Sequence, residues 1–402
     1  MLCLNNLSII RGGMWETALP SRIGKQKSFA NNDVCSETVF YTQLWRKQFF
    51  YLGGNEMEVM DTIDAVGHVL CHDITQIIRG VTKEARFHKG HIITAEDVSV
   101  LLSLGKDHIY VWKKTAGLLH ENEAAELLQK ICQNDHMLPT MVKEGKIELM
   151  AACAGVLKVD IERLNAINDI DEIIIATRHN NTPVKAGDKL AGMRVIPLVI
   201  KEEKLKKAQD IADNRPLLQL LPYKKNKIGV VITGNEVYNK RIVDTFTPVI
   251  LGKLENYGLT INAQRVSDDV PQHITAKIGE LLDEGMDIII CTGGMSVDPD
   301  DRTPAAIKAT GAEIVTYGVP VLPGAMFLLA YYKDEKHKNI VPIMGLPGCV
   351  MYAQTTVFDL ILPRIIAGER IKKHELTALG HGGLCLDCEV CRYPDCSFGK
   401  GN

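Results

Sequence analysis

A chain of 402 residues is long enough for two or three packed units. With 46% hydrophobic residues, 24% charged residues and a formal net charge of −3, it has the balance of an ordinary globular protein. It lacks the basic excess that a phosphate-backbone partner demands, so nucleic acid is not expected. No apolar run reaches bilayer length, and stretches such as Phe327–Tyr332 are the size of a buried strand, so no membrane partner is expected either. The eleven cysteines are scattered except for four between Cys385 and Cys396. That is not a disulfide scaffold, and a cytoplasmic protein is expected.

Residues 1–56 show no sustained period. They contain Arg11, Arg22, Lys25 and Lys27 but also Glu16, and no compact apolar core with a cleavage site, so an irregular extension is expected rather than a targeting peptide. Residues 57–223 are expected to form a smaller mixed α+β region. Thr94-Ala-Glu-Asp97 has the form of a capping box for a helix through Val98, Leu101 and Leu104, closed by Gly105. Helical spacing of Ala124, Leu127, Leu128 and Ile131 predicts a second helix over 121–134, and a third is expected over 148–156. Strands follow at 171–176 and 193–200. The polar run 202–214 and the cluster Lys224, Lys225 and Lys227 then place a boundary near residue 223.

Residues 224–370 alternate strand and helix: strands at 228–232, 259–266 and 287–291, helices at about 247–257 and 271–285, and further elements to 366. This order predicts a three-layer α/β domain on a parallel sheet. Three glycine turns directly follow predicted strands: Thr233-Gly234-Asn-Glu236, Thr292-Gly293-Gly294-Met-Ser296 and Gly345-Leu346-Pro347-Gly348. In a parallel sheet all three fall on the carboxyl edge, where backbone N–H groups can cradle a phosphorylated small molecule. Acidic residues crowd the same edge. Asp268 and Asp269 suit helix capping, whereas Asp301, beside Asp298 and Asp300, suits a functional role such as holding Mg²⁺ next to a phosphate.

Together with Asp244-Thr245 and Ser267-Asp268-Asp269, these motifs resemble, in order and spacing, the molybdopterin-binding domain of the molybdopterin molybdenumtransferases, with weaker similarity back to about residue 60. The resemblance implies binding of molybdopterin or its adenylylated form and insertion of molybdate with Mg²⁺ in a homodimer. Asp301 and Glu236 take the catalytic roles, with Asp301 also a metal ligand. Thr233, Gly234, Asp244, Thr245, Thr292, Gly293, Gly294, Ser296, Gly345, Leu346, Pro347 and Gly348 would surround the pterin phosphate. The chain departs from the family at Leu322-Pro323-Gly324, where two lysines are usual, at Phe246 and Cys349, and in lacking the second-domain motif and a C-terminal barrel. Two other readings stay open: molybdopterin adenylylation, suggested by Asp300-Asp-Arg-Thr-Pro-Ala305, and a non-catalytic carrier or sensor.

Residues 371–402 form a Cys-rich tail in which Cys385, Cys388, Cys391 and Cys396 have the density of a thiolate metal site. Zn²⁺ is slightly favoured over an iron–sulfur cluster, and an exposed, redox-labile tail without metal is the alternative.

Overall fold

The computed structural model describes residues 58–401 apart from 79–81, 113–115, 144, 297 and 299–300. The expected extension at 1–56 and Asp300 lie outside the described residues. Among the described residues no helix is long and apolar enough to cross a membrane.

Among the described residues, the region before residue 223 is built from short antiparallel sheets, four α-helices and a 3-10 turn at Thr62–Asp64. The helix Ala95–Ser103 starts at the expected box, with Thr94 N donating to Asp97 Oδ2 at 2.9 Å. The helix Glu121–Cys132 buries Ala124, Ala125, Leu128 and Ile131 along one stripe. The polar run after Val199 is itself a helix, Glu202–Ala212, which buries Leu205, Ala208 and Ala212 at helical spacing.

The helix expected over 148–156 does not form. The segment is instead the end of strand Lys146–Ala151, a turn, and the start of strand Gly155–Val159. Ile147, Leu149 and Ala151 are buried in strict alternation, the period of a strand. The first strand pairs with Lys189–Val195 on one side and Met137–Pro139 on the other. At Gly155 a Cβ would stand 2.3 Å from Leu221 O, so the neighbouring strand approaches too closely for any side chain.

The second region is a three-layer α/β/α domain on a six-stranded sheet. From edge to edge the strands are Ala263–Ser267, Ile228–Thr233, Ile288–Thr292, Asn339–Leu346, Leu328–Asp334 and Glu313–Tyr317. The first four are mutually parallel. The last two run antiparallel to their neighbours, which narrows the expected parallel sheet to its first four strands. Only residues 335–338 join Leu328–Asp334 to Asn339–Leu346, and a parallel return needs a crossover of a dozen residues or more.

Ile228 to Thr233 and Ile288 to Thr292 are buried throughout, as central strands covered on both faces should be. Ile228, Val230 and Ile232 pack with Ile250, Leu254 and Phe358 in one layer. Val231 packs with Ile274, Ile278 and Ile307 in the other.

The tail is part of this domain. Leu376 and Phe398 enter its core, and Leu322 N donates to Gly383 O while Cys385 N donates to Leu322 O, both at 2.8 Å. Arg364, 2% exposed, bonds Glu369 at 2.8 and 2.7 Å and also Glu375, and Lys158 Nζ from the first region reaches Glu369 at 2.6 Å. Burial opposes the charge of Glu369, but Arg364 and Lys158 outweigh it and hold the carboxyl below its ordinary range.

Candidate functional site

Because the four strands are parallel and in register, their carboxyl ends form one line. Thr233 lies opposite Ser267, Ile232 opposite Thr292, and Thr292 opposite Leu346. The three glycine turns therefore leave the sheet side by side along a single edge.

The turn after Thr292 is sterically locked to the turn after Thr233. Gly293 and Gly294 have φ of +82° and +55°, and a Cβ on Gly293 would stand 2.3 Å from Thr233 O. Buried Thr233 donates its hydroxyl to Thr292 O at 3.0 Å, and buried Thr303 donates its own to Gly293 O at 2.8 Å. The two hydroxyl oxygens lie 3.1 Å apart. Thr303 opens the helix Thr303–Ala309, so that helix is fastened directly to the glycine pair.

Gly345 lies within its strand opposite Cys291, where a Cβ would meet Met295 Cε at 2.5 Å. Leu346 and Pro347 are buried, while Gly348 is exposed with open space around it.

Other expected site residues have structural partners. Gly234 N donates to Ser267 O at 3.3 Å, and Asn235 N to Asp269 Oδ2 at 2.9 Å, so two amides of the first turn are already engaged. Asp244 Oδ1 accepts Phe246 N at 2.8 Å and Thr247 N at 3.3 Å, which makes Asp244 an anchor for the helix Phe246–Glu255. Thr245, at that helix's N-cap, is exposed and makes no side-chain capping bond. Glu236 is exposed on the short helix Asn235–Tyr238. Asp301 is half-buried: its N donates to Asp298 O at 3.0 Å and its Oδ2 accepts Asp298 N at 3.3 Å. Asp268 accepts Val270 N at 3.2 Å and faces His273 Nδ1 at 2.9 Å, consistent with capping.

Two contributors had no clear mark in the sequence. Tyr317 donates its hydroxyl to Met295 O at 2.9 Å and to Ser296 O at 3.2 Å, holding the exposed end of the glycine turn. Burial first, and the Asp301 charge second, push its pKa upward. Thr303 is the second, although its place just after Asp301 was a usable cue. Ser267, which opens the Ser267-Asp268-Asp269 segment of the resemblance, also lies at this edge, opposite Thr233. Among the described residues, Ser267 Oγ and Thr292 Oγ1 are buried oxygens at this edge with no hydrogen-bond partner, an uncommon condition for buried polar atoms.

The tail cysteines stand apart from this edge. Cys385, Cys388, Cys391 and Cys396 line one cavity of about 650 Å³. Among the described residues, these four included, no three His, Cys, Asp or Glu side chains are gathered as ligands of one ion.

Residues 229–367 match the family model described as "Probable molybdopterin binding domain", and residues 59–113 match a "Domain of unknown function (DUF8806)". The second region is thus a domain of the molybdopterin-binding type. Among curated proteins, a CinA-like protein of Mycobacterium avium is 32% identical over 90 residues, covering 22% of this chain and 21% of that protein. A CinA-like protein of Mycolicibacterium vanbaalenii is 31% identical over 182 residues, covering 40% and 41%. The chain thus matches about a fifth of the length of the first of these relatives. Their name is not that of a molybdenumtransferase.

Two solved structures are similar to this chain at low identity. The tungsten cofactor synthesizing protein MoaB from Pyrococcus furiosus has a TM-score of 0.30 at 16% identity, covering 37% of this chain and 99% of that one. A molybdopterin biosynthesis MoeA protein from Pyrococcus horikosii has a TM-score of 0.30 at 13% identity, covering 82% and 78%.

Proposed function

We propose that the protein binds molybdopterin or its adenylylated form along the line of strand ends at Ser267, Thr233, Thr292 and Leu346, and acts in molybdenum-cofactor biosynthesis by positioning molybdate beside it. The observation that carries this reading is the register of the three glycine turns on one edge. The two unpartnered hydroxyls of Ser267 and Thr292 at the same edge add to it.

The backbone of the turn at Gly293–Gly294 would receive the phosphate, and the glycines let that turn pack against Thr233 and Thr303. Thr233 and Thr303 keep that turn in place, and Tyr317 holds its outer end. Mg²⁺ is usually held by one or two carboxylates together with a ligand's phosphates, not by a protein-only cage. In that mode Asp301, whose Oδ2 accepts Asp298 N beside the turn, would supply the carboxylate. Mg²⁺ bound there would neutralise developing charge on phosphate and oxyanion. Asp301 would orient the ligand, and exposed Glu236 would approach from the neighbouring turn. Such chemistry is electrostatic positioning rather than covalent catalysis.

The test is to incubate the full chain anaerobically with adenylylated molybdopterin, Mg²⁺ and molybdate and to analyse the pterin species. Conversion that disappears in Asp301→Asn while pterin binding persists is the expected result. Binding without any conversion by the unaltered chain leaves a carrier and removes the insertase reading. Failure to bind either pterin overturns the whole proposal.

A further inference from the structure

Four of the chain's eleven cysteines line one cavity of about 650 Å³ at the tail. Elsewhere, burial works against thiolate formation. It pushes Cys71 up to about 11 and Cys132 and Cys291 up to about 12, and it raises Cys349 as well. A thiol held protonated is a poor nucleophile. Within the tail, Cys385 and Cys396 are half-buried against the domain core, whereas Cys388 and Cys391 are exposed.

The exposed pair is anchored on both sides. Before it, Cys385 N donates to Leu322 O at 2.8 Å. After it, Tyr393 donates its hydroxyl to Asp359 O at 2.9 Å, and Phe398 is sunk in the core at 3% exposure. Between the two cysteines the chain bends, at Glu389 and Val390. A four-residue turn brings its end Cα atoms within about 7 Å, and a disulfide joins Cα atoms about 4.4–6.8 Å apart. The spacing and the bend thus suit a pair that closes on itself. Cys391 Sγ lies 3.1 Å from Oγ1 of buried Thr355, which fixes that sulfur at the cavity wall. Arg392 lines the same cavity, and its guanidinium suits a carboxylate. A cavity of this volume is the size of a small-molecule site.

We propose that Cys388 and Cys391 form a dithiol that exchanges with low-molecular-weight disulfides bearing carboxylates, the tail cavity receiving the disulfide and Arg392 its carboxylate. Cys391 gives its proton to solvent and attacks one sulfur of the incoming disulfide. The small molecule's S–S bond breaks, one half leaves as a thiolate, and a mixed disulfide remains on Cys391. Cys388, likewise deprotonated, attacks the Cys391 sulfur, which forms the Cys388–Cys391 bond and releases the second half as a thiolate. The two cysteines are oxidised and the small disulfide is reduced to two thiols, which take up the two protons released. The site is separate from the strand-end edge and does not rest on the pterin reading.

The experiment is to treat the reduced full chain, freed of reductant, with oxidised glutathione, to quench by acid and alkylation, and to map the products by mass spectrometry. A Cys388–Cys391 bond that excess reduced glutathione reverses is expected. Cys388→Ser should accumulate the mixed disulfide at Cys391, and Cys391→Ser should react at least about tenfold more slowly. Arg392→Gln should slow exchange with oxidised glutathione several-fold and leave exchange with neutral hydroxyethyl disulfide unchanged. All three substitutions are at exposed positions, and a melting curve checks that each variant still folds. A bond from either cysteine to Cys385 or Cys396 overturns the proposal, as does the absence of any disulfide. An unchanged rate in Cys391→Ser removes it as the attacking thiol. An Arg392→Gln effect that is missing, or equal for both disulfides, refutes carboxylate recognition.

Discussion

Replacing Gly293 with alanine should damage both stability and ligand binding, and the size of the effect follows from the geometry. At φ of +82° an L-residue pays the left-handed penalty of about 1–2 kcal/mol. The new Cβ would also stand 2.3 Å from Thr233 O, a backbone atom that cannot rotate away. Relief requires a shift of one turn against the other, a kind of overpacking that costs about 1–3 kcal/mol. The sum, roughly 2–5 kcal/mol, is large beside a total stability of about 5–15 kcal/mol. Urea unfolding should show a lower midpoint, and pterin affinity should fall by at least about tenfold, equivalent to about 1.4 kcal/mol. Gly348→Ala is the control, because nothing lies within 4 Å of the added Cβ; its stability should stay within about 0.5 kcal/mol. If Gly293→Ala unfolds and binds like the unaltered chain, the glycine turn is not locked as described and its role in the site is refuted.

Three further outcomes are expected. Tyr317→Phe removes the hydroxyl that bonds Met295 O and Ser296 O; it should lower stability by about 1 kcal/mol and speed amide exchange around Ser296, and unchanged exchange would count against its clamping role. Arg364→Met leaves Glu369 and Glu375 without their shared buried guanidinium, and should cost about 3–5 kcal/mol in calorimetry or urea titration. Glu369 has a depressed pKa in the folded chain, so its stabilisation is full above the unfolded value of about 4.3 and is lost as pH falls through the folded value. Glu369→Gln should therefore be less stable near neutrality, with the gap closing in acid, and a gap that does not vary with pH would contradict this linkage.

Much of the second region was legible in the sequence because its signals are local. The apolar runs at Ile228–Thr233 and Ile288–Thr292, each followed by glycine, mark buried strands and their turns without reference to the rest of the chain. The segment at 148–156 was misread because a short apolar stretch satisfies helix and strand periods alike; pairing with Lys189–Val195 settled it. Asp244 was placed at the site by the resemblance alone. Only its bonds to the amides of Phe246 and Thr247 reveal the capping role.

The sequence by itself determined the order of strands and turns, the positions that admit only glycine, and the crowding of thiols near the end of the chain. These follow from local chemistry: the period of burial, the freedom of a residue without Cβ, and ligand spacing along the backbone. Tertiary structure alone decided that Leu328–Asp334 pairs antiparallel with both its neighbours, that Tyr317 and Thr303 fasten the glycine turn, and that the tail packs into the domain core. It also decided that the four tail cysteines line one cavity. Each depends on contacts between residues far apart in the chain, whose formation is governed by packing and hydrogen-bond closure and not by any short stretch of sequence.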